Sequence, residues 1–351
     1  MKSVISSVAP LSFPFKTLDP FLFCVYHKDD YPAGDEKLQA PRRGNGADFN
    51  PNSPYRMYHG DRIPGFPQHP HRGFETITAT ITGLIDHTDS AGNTGRYGQG
   101  DLQWKTAGKG IVHGEMFPLV NSDKPNPLKF FQIWINLPKA SKWVDPAFKM
   151  HWAEEVPHYI SEDGLTNVTI WAGSEVATPS QQTALDPPPN SWASKRESNV
   201  GIWHIELQPG AHFELPANPA AAVNGQQVNR VAYFTEGESL LINEQGVQAK
   251  CAATLDAGAS ALFMNKHASV VTEVLILQGS PIGEPVVQHG PFVMNTAEEI
   301  QQAFSDYRTT QFGGWPWPQD AVVFPREKTR FSLLNGIEQT LPTPPQNMNI
   351  L

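Results

Sequence analysis

Cysteine is scarce in this chain: 351 residues contain only Cys24 and Cys251, and no Cys-x-x-Cys pair. That excludes a disulfide framework and a thiolate zinc site, and it suits a reducing compartment. Long apolar runs are also missing. None approaches the roughly 18 residues that a membrane-spanning helix needs, and the opening MKSVISSVAP, interrupted by serines before Pro10, has no signal-peptide core. Basic clusters are lacking as well. Lys and Arg number 26 against 35 Asp and Glu, for a net charge of -9, so no stretch can track a phosphate backbone and direct nucleic-acid binding is not expected. Nor is there a P-loop, a G-x-S-x-G or a dinucleotide fingerprint, which removes support for kinase, hydrolase and dehydrogenase chemistry. These absences predict a cytoplasmic protein without a membrane or nucleic-acid partner.

What is abundant is punctuation. With 28 Gly and 32 Pro between short β-branched and aromatic runs, the chain reads as many short strands. Strands are predicted at 74–82, 101–106, 130–137 and 167–172, and again at 201–207, 228–235, 239–242, 260–264 and 270–277. The fold class is therefore mainly all-β, with two antiparallel β-barrels. A metal-binding first domain is predicted over 1–173 and a Pro-rich linker over 174–200. A second barrel without metal then covers 201–312, and an irregular strap covers 313–351. One short helix is expected near 297–307, where Thr296 and Glu299 stand at capping-box spacing and Ile300, Ala303, Phe304 and Tyr307 form an apolar stripe.

The chemistry concentrates in two short motifs, His69-Pro-His71 and His113-Gly-Glu115, the second starting 42 residues after the first ends. Residues two apart on a strand point to one face, about 6.6 Å apart at the alpha carbon. Two neighbouring strands could therefore clamp one ion between the pairs. Three imidazoles and a carboxylate, without thiolate, make a borderline N/O site that leaves positions open on a six-coordinate ion. Iron leads, with Mn, Ni, Cu and Zn as alternatives. Glu75 joins the face of His69 and His71 if the strand continues unbroken through Gly73, either as a base near the ion or, ahead of that, as a buried partner of Arg72. His87 reads as a solvated loop residue beside Asp86 and Asp89. His204 and His212 lack a His-x-Glu companion, and His289 reads as a turn residue.

The blocks HPHRGFETIT, GDLQWKTAGKGIVHGEM and EPVVQHGPFVMNTAEEI resemble the pirin family of the cupin superfamily, over most of residues 15 to 315. The resemblance implies a bicupin with metal only in the N-terminal barrel, held by His69, His71, His113 and Glu115, with Glu75 behind them. It implies quercetinase-like chemistry: a small phenolic substrate and molecular oxygen, with Glu115 or Glu75 as the catalytic proton acceptor. The alternative it implies is a metal-dependent module that binds a protein partner without turnover. Departures from the family pattern at Lys105, Gly114 and Phe117 fall around the pocket and bear on substrate identity.

Overall fold

The computed structural model describes residues 3–43, 48–173 and 182–346. Period-two patterning puts most of the regular structure into strands, as predicted. The first half carries β1 (Ile5–Pro10), β2 (Phe21–Tyr31), β3 (Gly65–His71), β4 (Phe74–Thr82), β5 (Leu84–Asp89), β6 (Thr94–Gly98), β7 (Leu102–Thr106), β8 (Ile111–Met116), β9 (Asn126–Asn136), β10 (Ala147–His151), β11 (His158–Ile160) and β12 (Thr166–Ala172). The second half carries β13 (Gly201–Leu207), β14 (His212–Leu215), α1 (Pro219–Asn224), β15 (Asn229–Glu236), β16 (Leu240–Ile242), β17 (Gln245–Val247), β18 (Cys251–Asp256), β19 (Ala261–Met264) and β20 (Thr272–Gly279). A hairpin, β21 (Val287–His289) and β22 (Phe292–Met294), leads to α2 (Ala297–Thr310), and β23 (Arg330–Leu334) and β24 (Ile337–Leu341) follow. No helix among the described residues is long and apolar enough to cross a membrane.

Four large antiparallel sheets form two modules. In the first, the sheet β10-β7-β4-β9-β2 faces the sheet β24-β23-β6-β5-β8-β3. In the second, β1-β18-β15-β20-β13-β12-β11 faces β14-β19-β16-β17. Each module is thus a pair of facing sheets rather than a closed ring of strands. The modules stack through the five-stranded sheet of the first and the seven-stranded sheet of the second. Ile77, Ala79, Phe131 and Ile133 of the five-stranded sheet bury against Ile202, Leu275 and Leu277 of the seven-stranded one, and burial of apolar area at about 25 cal/mol per Å² favours this contact.

Strand pairing redraws the predicted domain boundaries. β1 pairs with β18, and β12 pairs with β13, so both ends of the predicted 1–173 domain belong to the second module's sheet. Conversely β23 pairs with β6, so the tail expected as an irregular strap adds two strands to the first module. The physical reason is edge protection: an unpaired sheet edge leaves backbone donors and acceptors open, and each exchanged strand covers one. Of the predicted linker, 174–181 lies outside the described residues. The remainder is packed structure, with turns at Trp192–Ser194 and Arg196–Ser198 and a fully buried Ser191. The helix prediction holds at its N-terminus. Thr296 and Glu299 form a reciprocal capping box, and Ile300 and Ala303 bury against Phe292 and Met294.

Candidate metal centre and its cavity

β3 and β8 are neighbours in the six-stranded sheet, and their register sets His69 directly opposite His113. An irregularity between Phe66 and His69 shifts the pairing just before the first histidine. The rings of His69, His71 and His113 converge, with centroids 4.7 Å (His69 to His71), 4.5 Å (His69 to His113) and 4.8 Å (His71 to His113) apart. One ring nitrogen from each lies within 4.8 Å of the other two.

The protonation of this cluster follows from burial. Taking a charged imidazolium out of water is costly, so burial pushes His69 down to about 4 and His71 and His113 well below the ordinary histidine range. All three are therefore neutral at pH 7. His69 Nδ1 stands 2.8 Å from the Pro67 carbonyl, which can only accept, so its proton is on Nδ1 and Nε2 offers a lone pair. His71 Nδ1 and both ring nitrogens of His113 are buried with no hydrogen-bond partner among the described residues. Buried polar atoms left unpartnered are rare and costly. Three neutral nitrogens aimed at one point fit a divalent first-row metal, the group that would satisfy them.

Glu115 lies beside this cluster but is held by other groups. Its Oε1 lies 2.8 Å from Thr78 Oγ1 and accepts from Tyr97 OH at 3.1 Å, while Oε2 accepts from Gln132 Nε2 at 3.2 Å. Thr78 Oγ1 also lies 2.7 Å from Gln132 Oε1, so its single proton serves one of the two acceptors at a time. Burial raises the Glu115 pKa, and the hydrogen bonds from Thr78 and Tyr97 oppose that rise. The four residues predicted to hold metal are thus neighbours, with three converged and the fourth anchored at the cavity wall. Thr78, Tyr97 and Gln132 were missed in the sequence. Thr78 alone has a sequence signal, its place on the even-numbered face of 74–82; Tyr97 on β6 and Gln132 on β9 reach Glu115 only through strand pairing.

Glu75 is a correction. Gly73 has a φ of 87°, and a side chain there would drive its Cβ to 1.9 Å from the Val293 carbonyl. The chain breaks at this residue and passes from one sheet to the facing one, so the face relation assumed across Gly73 fails. Glu75 shares its face with Ile77 and Ala79 and points to the junction between modules, away from His69 and His71. There Thr106 Oγ1 and Ser191 Oγ each donate to it at 2.5 Å. Burial outweighs these bonds and pushes its pKa up to about 7. Its predicted partner Arg72 instead pairs with Asp306 at 2.7 Å and donates to the Lys109 carbonyl at 2.6 Å.

His87 is a second correction: it is fully buried on β5, not solvated. Across β5 and β8 it pairs with Glu115, and Asp89 pairs with His113, so both side chains share the ligand face. Its ring lies 5.5 Å from that of His113 and stacks on Phe148. In the second module His204, Glu206 and Glu273 cluster closely. Lys129 occupies both Glu273 oxygens at 2.6 and 2.7 Å, and His204 Nε2 lies 3.0 Å from Oε2, so the group is an ion-pair bridge between modules. His212 and His289 are exposed on strands.

His69 and His71 open into a cavity of about 670 Å³, with His113 buried behind them. Phe23, Phe66, Phe117, Phe130 and Trp134 supply flat apolar walls, and Gln132 and Glu115 supply polar atoms. Gly290 and Pro291, from the turn of the β21–β22 hairpin, complete the lining.

Two stacked antiparallel modules, with a neutral histidine cluster in the first alone among the described residues, define a bicupin. Residues 13–135 match the pirin family and residues 202–313 match the pirin C-terminal cupin domain. The chain is 36% identical to a pirin-like protein of Solanum lycopersicum over 251 residues, covering 71% of this chain and 77% of that one. It is 34% identical over 251 residues to a Pseudomonas aeruginosa protein named "Putative quercetin 2,3-dioxygenase", covering 71% of this chain and 80% of that one. Among solved structures, a quercetin 2,3-dioxygenase from Acinetobacter baumannii superposes with a TM-score of 0.68 at 24% identity, covering 88% of this chain and 98% of that one. The chain belongs to the pirin family.

Proposed function

We propose that this chain is a metal-dependent dioxygenase acting on a flavonol or a related phenolic, with His69, His71, His113 and Glu115 holding the metal, iron first. The observation that carries this reading is a neutral three-imidazole cluster whose His69 and His71 line an aromatic-walled cavity of about 670 Å³, within the usual range for small-molecule sites. The name of the Pseudomonas relative points to the same reaction class. When bound, the metal would act as a Lewis acid on a substrate hydroxyl and bring it together with oxygen.

The chain's own residues have separable tasks. The histidines hold neutral nitrogens in place, with the Pro67 carbonyl fixing the His69 tautomer. The phenylalanine walls and Trp134 exclude water and stack on a flat ring. Glu115 accepts the hydroxyl proton, and Gln132 and Tyr97 keep its carboxylate turned to the cavity.

The test is an oxygen-electrode assay on protein loaded anaerobically with Fe²⁺ and mixed with quercetin, alongside His113→Ala. Oxygen uptake and bleaching of the flavonol absorbance are expected from the loaded parent and not from the variant. Loaded protein that neither consumes oxygen nor bleaches quercetin refutes the reading for that substrate.

A further inference from the structure

A lysine is buried under the histidine cluster. Lys105 of β7 is 2% exposed, and its Nζ donates to Asp89 Oδ2 at 2.7 Å and to His87 Nε2 at 3.3 Å. The same His87 Nε2 also lies 3.5 Å from Asp89 Oδ2, so lysine, histidine and aspartate meet at one point. His87 in turn faces His113. Asp89 has two occupations. Its Oδ1 accepts from Ala91 N and Asn93 N at 2.9 and 3.0 Å and closes the β5–β6 turn, and its Oδ2 receives Lys105.

Burying an ammonium is costly even when it is paired, and an apolar side chain at position 105 would pack without that cost. A cation placed beside a site of three neutral nitrogens opposes any second cation there, and an anion favours it. In a poorly screened interior both effects reach past the first contact. We propose that Lys105 and Asp89 are positioning residues whose opposed charges set how tightly, and in which oxidation state, the histidine site holds its metal. Lys105 weakens cation binding and favours the lower oxidation state; Asp89 does the reverse. This inference rests on the metal-site reading above.

The experiment measures Zn²⁺ affinity by competition with a chromophoric chelator, and the Fe³⁺/Fe²⁺ midpoint potential by spectroelectrochemistry. The proteins are the parent, Lys105→Met, Asp89→Asn, the double variant and His113→Ala. Asn at 89 keeps the Oδ1 contacts of the turn, and Met at 105 keeps the length of the stem. Lys105→Met should bind Zn²⁺ about tenfold more tightly with a lower potential, and Asp89→Asn about tenfold more weakly with a higher one. The double variant should return close to the parent. A merely structural ion pair would move both single variants the same way, and that result overturns the proposal, as does Lys105→Met with unchanged affinity and potential. If an unpaired Asp89 prevents Lys105→Met from folding, the double variant compared with Asp89→Asn removes the cation alone, and it must bind more tightly. A parent that binds no Zn²⁺, or a His113→Ala protein that binds it equally well, sinks the metal-site reading itself. Loading that depends on His113 but is equal across the charge variants sinks only this inference.

Discussion

Glu75 provides a quantitative test of what a fully buried carboxyl is doing between two β modules. Its pKa is about 7 in the folded protein against 4.5 for an ordinary glutamate. Because the folded-state value is raised, the unfolded chain releases the proton first. Stability is therefore full below pH 4.5 and is lost as pH rises, until Glu75 is ionised in both states above pH 7. At roughly 1.4 kcal/mol per unit, the difference amounts to about 3 kcal/mol. Glu75→Gln removes the titration and keeps an acceptor for Ser191 or Thr106. Urea denaturation should show the variant close to the parent at pH 4.5 and more stable by about 3 kcal/mol at pH 8. Since only the difference between two proteins is read, other titrating groups cancel. Parallel stability curves for parent and variant across this range would refute the reasoning. Metal loading should be the same in both proteins, because the carboxyl faces the module junction. A variant that kept its stability curve but lost metal would return Glu75 to the site.

Two further outcomes follow from other buried groups. With His69 lowered to about 4 and His71 and His113 well below their ordinary range, histidine protonation should not compete with metal between pH 8 and pH 6. Zn²⁺ affinity measured in a Glu115→Gln background, which takes the raised carboxyl beside the histidines out of the titration, should therefore be nearly flat, whereas three histidines at the unperturbed 6.5 would lose roughly 60-fold. The same depressed values mean that the histidines' contribution to stability is present above pH 6.5 and falls as pH drops below it. Arg96 and Asp86 form a fully buried pair at 2.7 Å, and Arg96 also donates to the carbonyls of Phe324, Pro325 and Lys328, each at 2.8 Å. Arg96→Ala leaves Asp86 buried without its cation and should cost about 3–5 kcal/mol in chemical denaturation, with release of the 324–341 segment visible as faster amide exchange in β23.

The convergence of the three histidines was legible in the sequence because of a local constraint: one x between two side chains on a strand puts them on one face whatever the surrounding fold does. Strand positions were legible for the same period-two reason. Glu75 was misplaced because a single positive-φ glycine, Gly73, interrupts the period and sends the next strand to the opposite sheet. His87 was misplaced because a run of Asp, His, Thr and Asp looks like a solvated turn. Its burial depends on Lys105 arriving from β7 to pair with Asp89, a contact between residues 16 apart that no local pattern encodes. The strand exchanges escaped for a deeper reason. β1 and β18 are partners across more than 240 residues, and nothing in ISSVAP says which sheet edge it will cover.

The same exchanges bear on how the site should be understood. All four candidate ligands come from β3 and β8, yet the cavity beside them is not the work of the first module alone. Arg72, next to His71, donates its backbone N–H to the Pro291 carbonyl and accepts from Val293 N, so the β21–β22 hairpin is clasped directly to the end of the ligand strand. Asp306 of α2 holds the Arg72 guanidinium from the other side, and Phe312 lies under its face at 4.5 Å. The β21–β22 hairpin, from the C-terminal half of the chain, sets the cavity's edge at Gly290 and Pro291. Substitutions in the hairpin can therefore alter which substrate fits while leaving the donor set unchanged. Under the proposed function, metal affinity and substrate choice become separable, the first expected to follow β3, β8 and the charges beside them, the second a wall that both halves of the chain build.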